Sequence, residues 1–297
     1  MEEIEQHLKK LNINDETKTI KEELHYNNKL NNETLYNDID KDKQKIIDLF
    51  LKNIKGIDII LESNNHCGKE GYWLETKMGV KHNDKNNPDL YGYEMKKNSS
   101  KISFGDFSAS EYLFSSKKSY IKEYNKWIDD IKITKNDYIK YFGTKNEKKN
   151  NRYSWSGSCV PTYNNWNHRG QNMIFNENND LCIYYLFDKD QKTTKNELPY
   201  FLKTNKKILI AIWKKNKLEK HINNKFNKKG FFICKKIKNT YEKICFGKPF
   251  NYEYFVENIK NKIIIFDSGM YEGNSRNYSH FRSSNTKFWN LLIIEEF

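Results

Sequence analysis

From Leu90 onward Tyr91, Tyr93 and Met95 alternate with Gly92, Glu94 and Lys96. A period of two is that of a β-strand whose faces meet different surroundings. One face of this strand is apolar, and Glu94 and Lys96 share the other. Pro88 favours an extended approach, and Asp89 adds an acid just ahead of the pair. Such a strand requires a sheet with a core beneath it. Eighteen Phe, twenty Tyr and six Trp supply one, far more than a disordered basic tail carries, although low mean hydropathy alone points the other way. A chain of 297 residues buries one large core or two modest ones.

Residues 1–40 are rich in Glu, Lys and Asn, with sparse apolar positions at Ile4, Leu8, Leu11 and Ile13. They read as a helical or mobile arm, with the folded body starting near Lys41. Over 42–61, Ile46, Ile47, Leu49, Phe50, Leu51 and Ile54 recur at helical spacing and Gly56 marks a stop. Gly71 to Gly79 reads as a short helix ended by its last glycine. A further helix is expected over 120–133, on Ile121, Tyr124, Trp127, Ile128 and Ile131, and a charged loop over 145–151. Apolar runs at 181–187, 208–213, 231–233, 263–266 and 291–294 are strand candidates. Helices first and strands later predict an α+β or α/β core, a central mixed β-sheet flanked by helices. The expected division is the arm (1–40), a core holding the motif strand (41–151), and recognition elements with the remaining core strands (152–297).

A formal charge of +13 creates a field that attracts polyanions. Asn, Lys, Ile and Tyr are all specified by AT-rich codons, so charge alone leaves nucleic-acid binding open. Asp89, Glu94 and Lys96, with Glu75 as a further acid from the preceding helix, match a definite chemistry. Two carboxylates hold a divalent cation, and an amine stands beside the water that attacks a phosphodiester. In a chain with 31% charged residues, the same groups would also serve as a solvated ion-pair ladder on an edge strand, with Glu75 an ordinary surface acid.

Cys67, Cys159, Cys182, Cys234 and Cys245 are odd in number and widely spaced. Neither a disulfide framework nor a zinc cluster fits them, and His66 and Cys67 with Cys159 or His168 match no common zinc spacing. The expected compartment is reducing and cytoplasmic. The N-terminus is acidic where a secretory signal is basic, and no apolar run reaches the roughly 18 residues of a membrane span.

The stretches GYWLETKMG (71–79), Asn86-Asn87-Pro88-Asp89-Leu90 and Gly92-Tyr93-Glu94-Met95-Lys96 resemble the PD-(D/E)xK restriction endonucleases of the MvaI, BcnI and LlaMI type, which share a MutH-like fold. The order of motifs agrees, as does the separation of Glu75 from Asp89. Met78-Gly79-Val80 stands where Leu-Gly-Ile is commoner. The resemblance is clear over residues 64–106. It implies a restriction-endonuclease-like core in which Asp89 and Glu94 ligate Mg²⁺, Lys96 holds or helps deprotonate the attacking water, and Glu75 either completes the outer metal sphere or binds a metal-bound water. It further implies a type II enzyme, acting as a monomer on both strands of double-stranded DNA at a short sequence, with a cognate methyltransferase as genetic partner. A MutH-like strand-nicking enzyme and a basic DNA-binding protein without catalysis are the alternatives.

Two segments are candidates for reading bases. Asn274, Arg276, His280 and Arg282 lie in the densest polar cluster of the chain, similar in flavour to the C-terminal DNA-reading segment of such enzymes. Trp155–Ser158 and Trp166–Asn172, including His168 and Arg169, form the second. Arg, Asn and Gln supply bidentate donors for base edges. A structured loop with its Trp residues in the core is the alternative for the second.

Overall fold

The computed structural model describes residues 41–59, 68–80, 86–115, 119–128 and 132–297. The arm expected over 1–40, together with His66, Cys67, Lys117, Lys118 and Ile131, lies outside the described residues. In chain order the elements are α1 (41–53), α2 (Lys69–Lys77), β1 (Glu94–Lys97), β2 (Lys101–Asp106), β3 (Glu111–Tyr112), α3 (Tyr120–Tyr124), α4 (Lys135–Phe142), β4 (Thr144–Asn146), β5 (Arg152–Trp155), β6 (Arg169–Phe175) and β7 (Leu181–Asp190). There follow β8 (Ile208–Trp213), α5 (Lys215–Phe226), β9 (Phe231–Ile237), β10 (Thr240–Gly247), α6 (Tyr252–Lys260), β11 (Ile264–Asp267), β12 (Met270–Tyr271), β13 (His280–Ser284) and β14 (Ile293–Glu296).

The motif strand belongs to a mixed sheet of order β1-β9-β10-β14, in which β1 runs parallel to β9 and the other pairs are antiparallel. Alternation along β9 divides the core. Phe232 and Cys234 face a cluster with Ile46 and Phe50 of α1, Ile54 just beyond it, Leu74 of α2, Tyr93 and Met95. Phe231 and Ile233 face the larger cluster, which includes Phe226 of α5 and Phe255 of α6. The sheet is thus covered by helices on both faces. Three further sheets, ordered β11-β13-β2, β12-β5-β4 and β3-β8-β7-β6, complete the fold. Among the described residues no helix is long and apolar enough to cross a membrane.

Helix α1 stops where expected, with Gly56 at φ +70°, and Gly79 takes φ +75° beyond α2. Two expectations are corrected. The helix over 120–133 ends at Tyr124, because buried Asn125 donates to the Leu209 carbonyl at 2.9 Å and accepts the Leu209 N–H at 3.1 Å. Its amide pairs with β8 in place of continuing the helix, and α4 starts afresh at a Thr134–Asp137 capping box. The loop over 145–151 is narrowed to 147–151, since Lys145 and Asn146 belong to β4; it is the turn of the β4–β5 hairpin, closed by Asn150 and Asn151 in left-handed conformation.

Candidate active site

Asp89, Glu94 and Lys96 come together at the start of β1. A tight turn at Tyr91 and Gly92, both at positive φ, folds Leu90 back on Tyr93 with reciprocal backbone hydrogen bonds of 3.1 and 2.8 Å. That turn lets Asp89 Oδ2 accept the Met95 N–H at 2.9 Å. Glu94 and Lys96 share a face, as the period of two requires, and Lys96 Nζ donates to Glu94 Oε1 at 2.6 Å. Strand β1 is an edge strand, yet its ion pair is not a solvated ladder. The side chains of Glu94 and Lys96 are only 2% and 11% exposed.

A residue with no signal in the sequence completes the pair. Lys225 of α5 places Nζ 3.0 Å from the same Oε1 atom. The register explains how: Glu94 pairs with Phe231, five positions beyond the end of α5, and its N–H donates to the Gly230 carbonyl at 3.1 Å. The i−4 neighbour of Lys225 on α5, His221, stacks on Phe107 and accepts from Asn86 Nδ2 at 2.7 Å through Nδ1, tying the segment before Pro88 to this helix. Glu94 Oε2, by contrast, is buried with no hydrogen-bond partner.

Burial dominates the electrostatics. It pushes the Glu94 carboxyl above the usual range, a rise that Asp89 adds to and that Lys96 and Lys225 oppose. Burial likewise lowers Lys96, against the attraction of Glu94.

The acids of α2 divide their roles. Glu70 accepts from Lys97 at 2.9 Å, Tyr241 at 2.9 Å and Lys236 at 2.5 Å, locking the helix to β1, β9 and β10. Burial alone would raise its carboxyl, but Lys236, Lys97 and Tyr241 outweigh it and hold the group at about 2. A folded value below the unfolded 4.5 gives stability that is complete above about pH 4.5 and lost as pH falls toward 2. Glu70→Gln is therefore expected to flatten the acid decline of the melting temperature between pH 5 and 3, removing about 1–2 kcal/mol at pH 6; a parallel decline in the variant would refute this. Glu75 sits half-buried on the same helix. Among the described residues no three His, Cys, Asp or Glu groups form a metal-holding cluster, so Glu75 does not join Asp89 and Glu94 as a third ligand in this structure.

A model of the LlaMI restriction endonuclease family matches residues 51–297. The chain belongs to the LlaMI restriction endonuclease family. It is accordingly a site-specific deoxyribonuclease. It is 37% identical over 270 residues to the type II restriction enzyme ScrFI of Lactococcus lactis subsp. cremoris, an alignment covering 85% of this chain and 97% of that protein. Its fold matches the restriction endonuclease MvaI, solved in complex with its cognate DNA substrate, with a TM-score of 0.53 at 12% identity, over 87% of this chain and 97% of that one.

In this LlaMI-family chain the two base-reading candidates differ. Along β13 the residues alternate, so that His280 and Arg282 lie on the outer face while Phe281 and Ser283 are buried. Arg282 pairs with Asp267 at 3.3 Å, and His280 stacks on Tyr278 at 5.8 Å, with the Arg276 guanidinium 5.8 Å from the same ring. Asn274 Oδ1 accepts the Arg276 N–H, and Lys135 Nζ donates to the carbonyls of both residues. Asn274, Arg276 and His280 thus form one braced polar ridge. The second segment is partly internal. Trp155 is fully buried, its Nε1 donating to buried Gln171, and Arg169 donates to the Gly143 carbonyl at 2.6 Å. His168 remains exposed in the turn just before β6.

Proposed function

We propose that this chain is a Mg²⁺-dependent type II restriction endonuclease that hydrolyses both strands of duplex DNA at a short defined sequence. Asp89 and Glu94 are assigned as metal ligands and Lys96 as the amine beside the attacking water. Glu94 carries this reading: a buried carboxylate held through Oε1 by two ammoniums, with Oε2 unpartnered. An unsatisfied buried oxygen costs free energy, and two hard carboxylates suit a hard divalent cation. When bound, such a cation supplies Lewis-acid polarisation of the scissile phosphate and the attacking water. Asp89 is pre-oriented by the Met95 N–H. Lys96, an ammonium that donates to Glu94, holds and orients that water. Glu75 is assigned an outer-sphere role. The ridge of Asn274, Arg276 and His280, with Arg282, is assigned to DNA, Arg to guanine edges or phosphates; His168 and Arg169 are assigned to its flank. The expected state is a monomer in the cytoplasm, paired genetically with a protective methyltransferase.

Purified full-length chain, supercoiled plasmid and Mg²⁺ test this reading. Linear product with discrete ends is expected, and none in EDTA. Open circles alone would favour a strand-nicking enzyme, and gel retardation without cutting a binding protein.

A further inference from the structure

Neutralising Glu94 takes one cation, yet two address it. Both reach the same oxygen, both are largely buried, at 11% and 15% side-chain exposure, and two ammoniums so close repel each other in a medium of low dielectric. Helix α5 does not need the contact for anchorage, since Leu218, Ile222 and Phe226 already bury it.

We propose that Lys225 is a second active-site ammonium that matches the charge of the site to the transition state of hydrolysis. The inference rests on the assignment of Asp89, Glu94 and Lys96 given above. With Lys225 the cluster sets two carboxylates against two ammoniums and is formally neutral; a divalent cation leaves it with two positive charges. A bound diester carries one negative charge. In hydrolysis the water oxygen bonds to phosphorus while the bridging bond to the leaving sugar oxygen breaks; the water loses a proton to solvent and the leaving oxygen gains one. Once the water has lost its proton, nucleophile and phosphate together carry two negative charges. The site with Lys225 complements that state, whereas without it the site would complement the ground-state diester. Binding free energy is thereby held for the transition state.

The test compares Lys225→Gln and Lys225→Arg with the wild type in the full chain, with melting curves to confirm folding. Mn²⁺ binding without DNA, followed by electron paramagnetic resonance, is expected to tighten about tenfold in Lys225→Gln, because a like charge is removed. Single-turnover cleavage at saturating duplex and metal should slow about a hundredfold, with KM for duplex within about threefold of wild type. Lys225→Arg should restore wild-type Mn²⁺ affinity and most of the rate. Weaker Mn²⁺ binding in Lys225→Gln would make Lys225 a structural prop for Glu94, and unchanged cleavage would leave it no role; either result overturns the proposal. Cleavage that survives Glu94→Gln would instead overturn the assignment beneath it.

Discussion

Glu94→Gln is expected to lower cleavage by at least about 10⁴-fold while the chain still folds and still retards duplex DNA. Glutamine keeps the shape of the side chain and removes its charge, so the change isolates electrostatics from packing. It also leaves Lys96 and Lys225 beside a neutral amide in place of the carboxylate that now holds them at 2.6 and 3.0 Å. Removing one partner of a buried ion pair costs about 3–5 kcal/mol where the remaining charge cannot adapt. Here adaptation is available, because burial already lowers the proton affinity of Lys96 and Asp89 stands close by. A loss of about 1–3 kcal/mol is therefore expected, readable from urea unfolding. Lys96→Ala should abolish cleavage equally, by removing the amine and not the ligand. Cutting retained by either variant, measured with folded protein on cognate duplex, would falsify the assignment of the site.

The contrast between Glu94 and Lys225 shows what a sequence carries about such a site. Glu94 and Lys96 are legible because their relation is local: a period of two places both on one face, and Lys96 Nζ does reach Glu94 Oε1. The α1 stop at Gly56 and the α2 stop at Gly79 are legible for the same reason, since positive φ selects glycine within one turn of chain. The family resemblance over 64–106 covers this local stretch. Lys225 lies 131 positions beyond Glu94, in a lysine-rich helix whose apolar stripe is only Leu218, Ile222 and Phe226. Nothing nearby distinguishes it from the neighbouring solvated lysines; only the pairing of Glu94 with Phe231 does. Long-range pairing also explains what local reading could not reach. Asn125 ends α3 by pairing with Leu209, and Trp155 and Gln171 satisfy each other inside the core. Both are contacts between segments, invisible to any window of periodicity.

Gly230→Ala is expected to cost about 3–5 kcal/mol and to slow cleavage beyond what unfolding explains. Gly230 takes φ +83°, a conformation that costs an L-residue about 1–2 kcal/mol. An added Cβ would also collide with the Gly247 carbonyl and lie 2.9 Å from Lys248 C and Pro249 N. These are backbone atoms at the end of β10, which cannot swing aside as a side chain would. Relief requires β9 to shift against β10, and the Gly230 carbonyl holds the Glu94 N–H at 3.1 Å. The shift would therefore pass directly into the position of the carboxylate relative to Asp89, where misplacement by about 1 Å costs about a hundredfold in rate. Gly56→Ala is the control. It has similar strain, φ +70°, but open space around the added Cβ, so it should cost only about 1–2 kcal/mol and leave the single-turnover rate unchanged. Unfolding midpoints and cleavage rates of the two variants, measured side by side below their melting temperatures, separate backbone strain from displacement of the site. Equal rates in both would mean that the Gly230 carbonyl does not position Glu94.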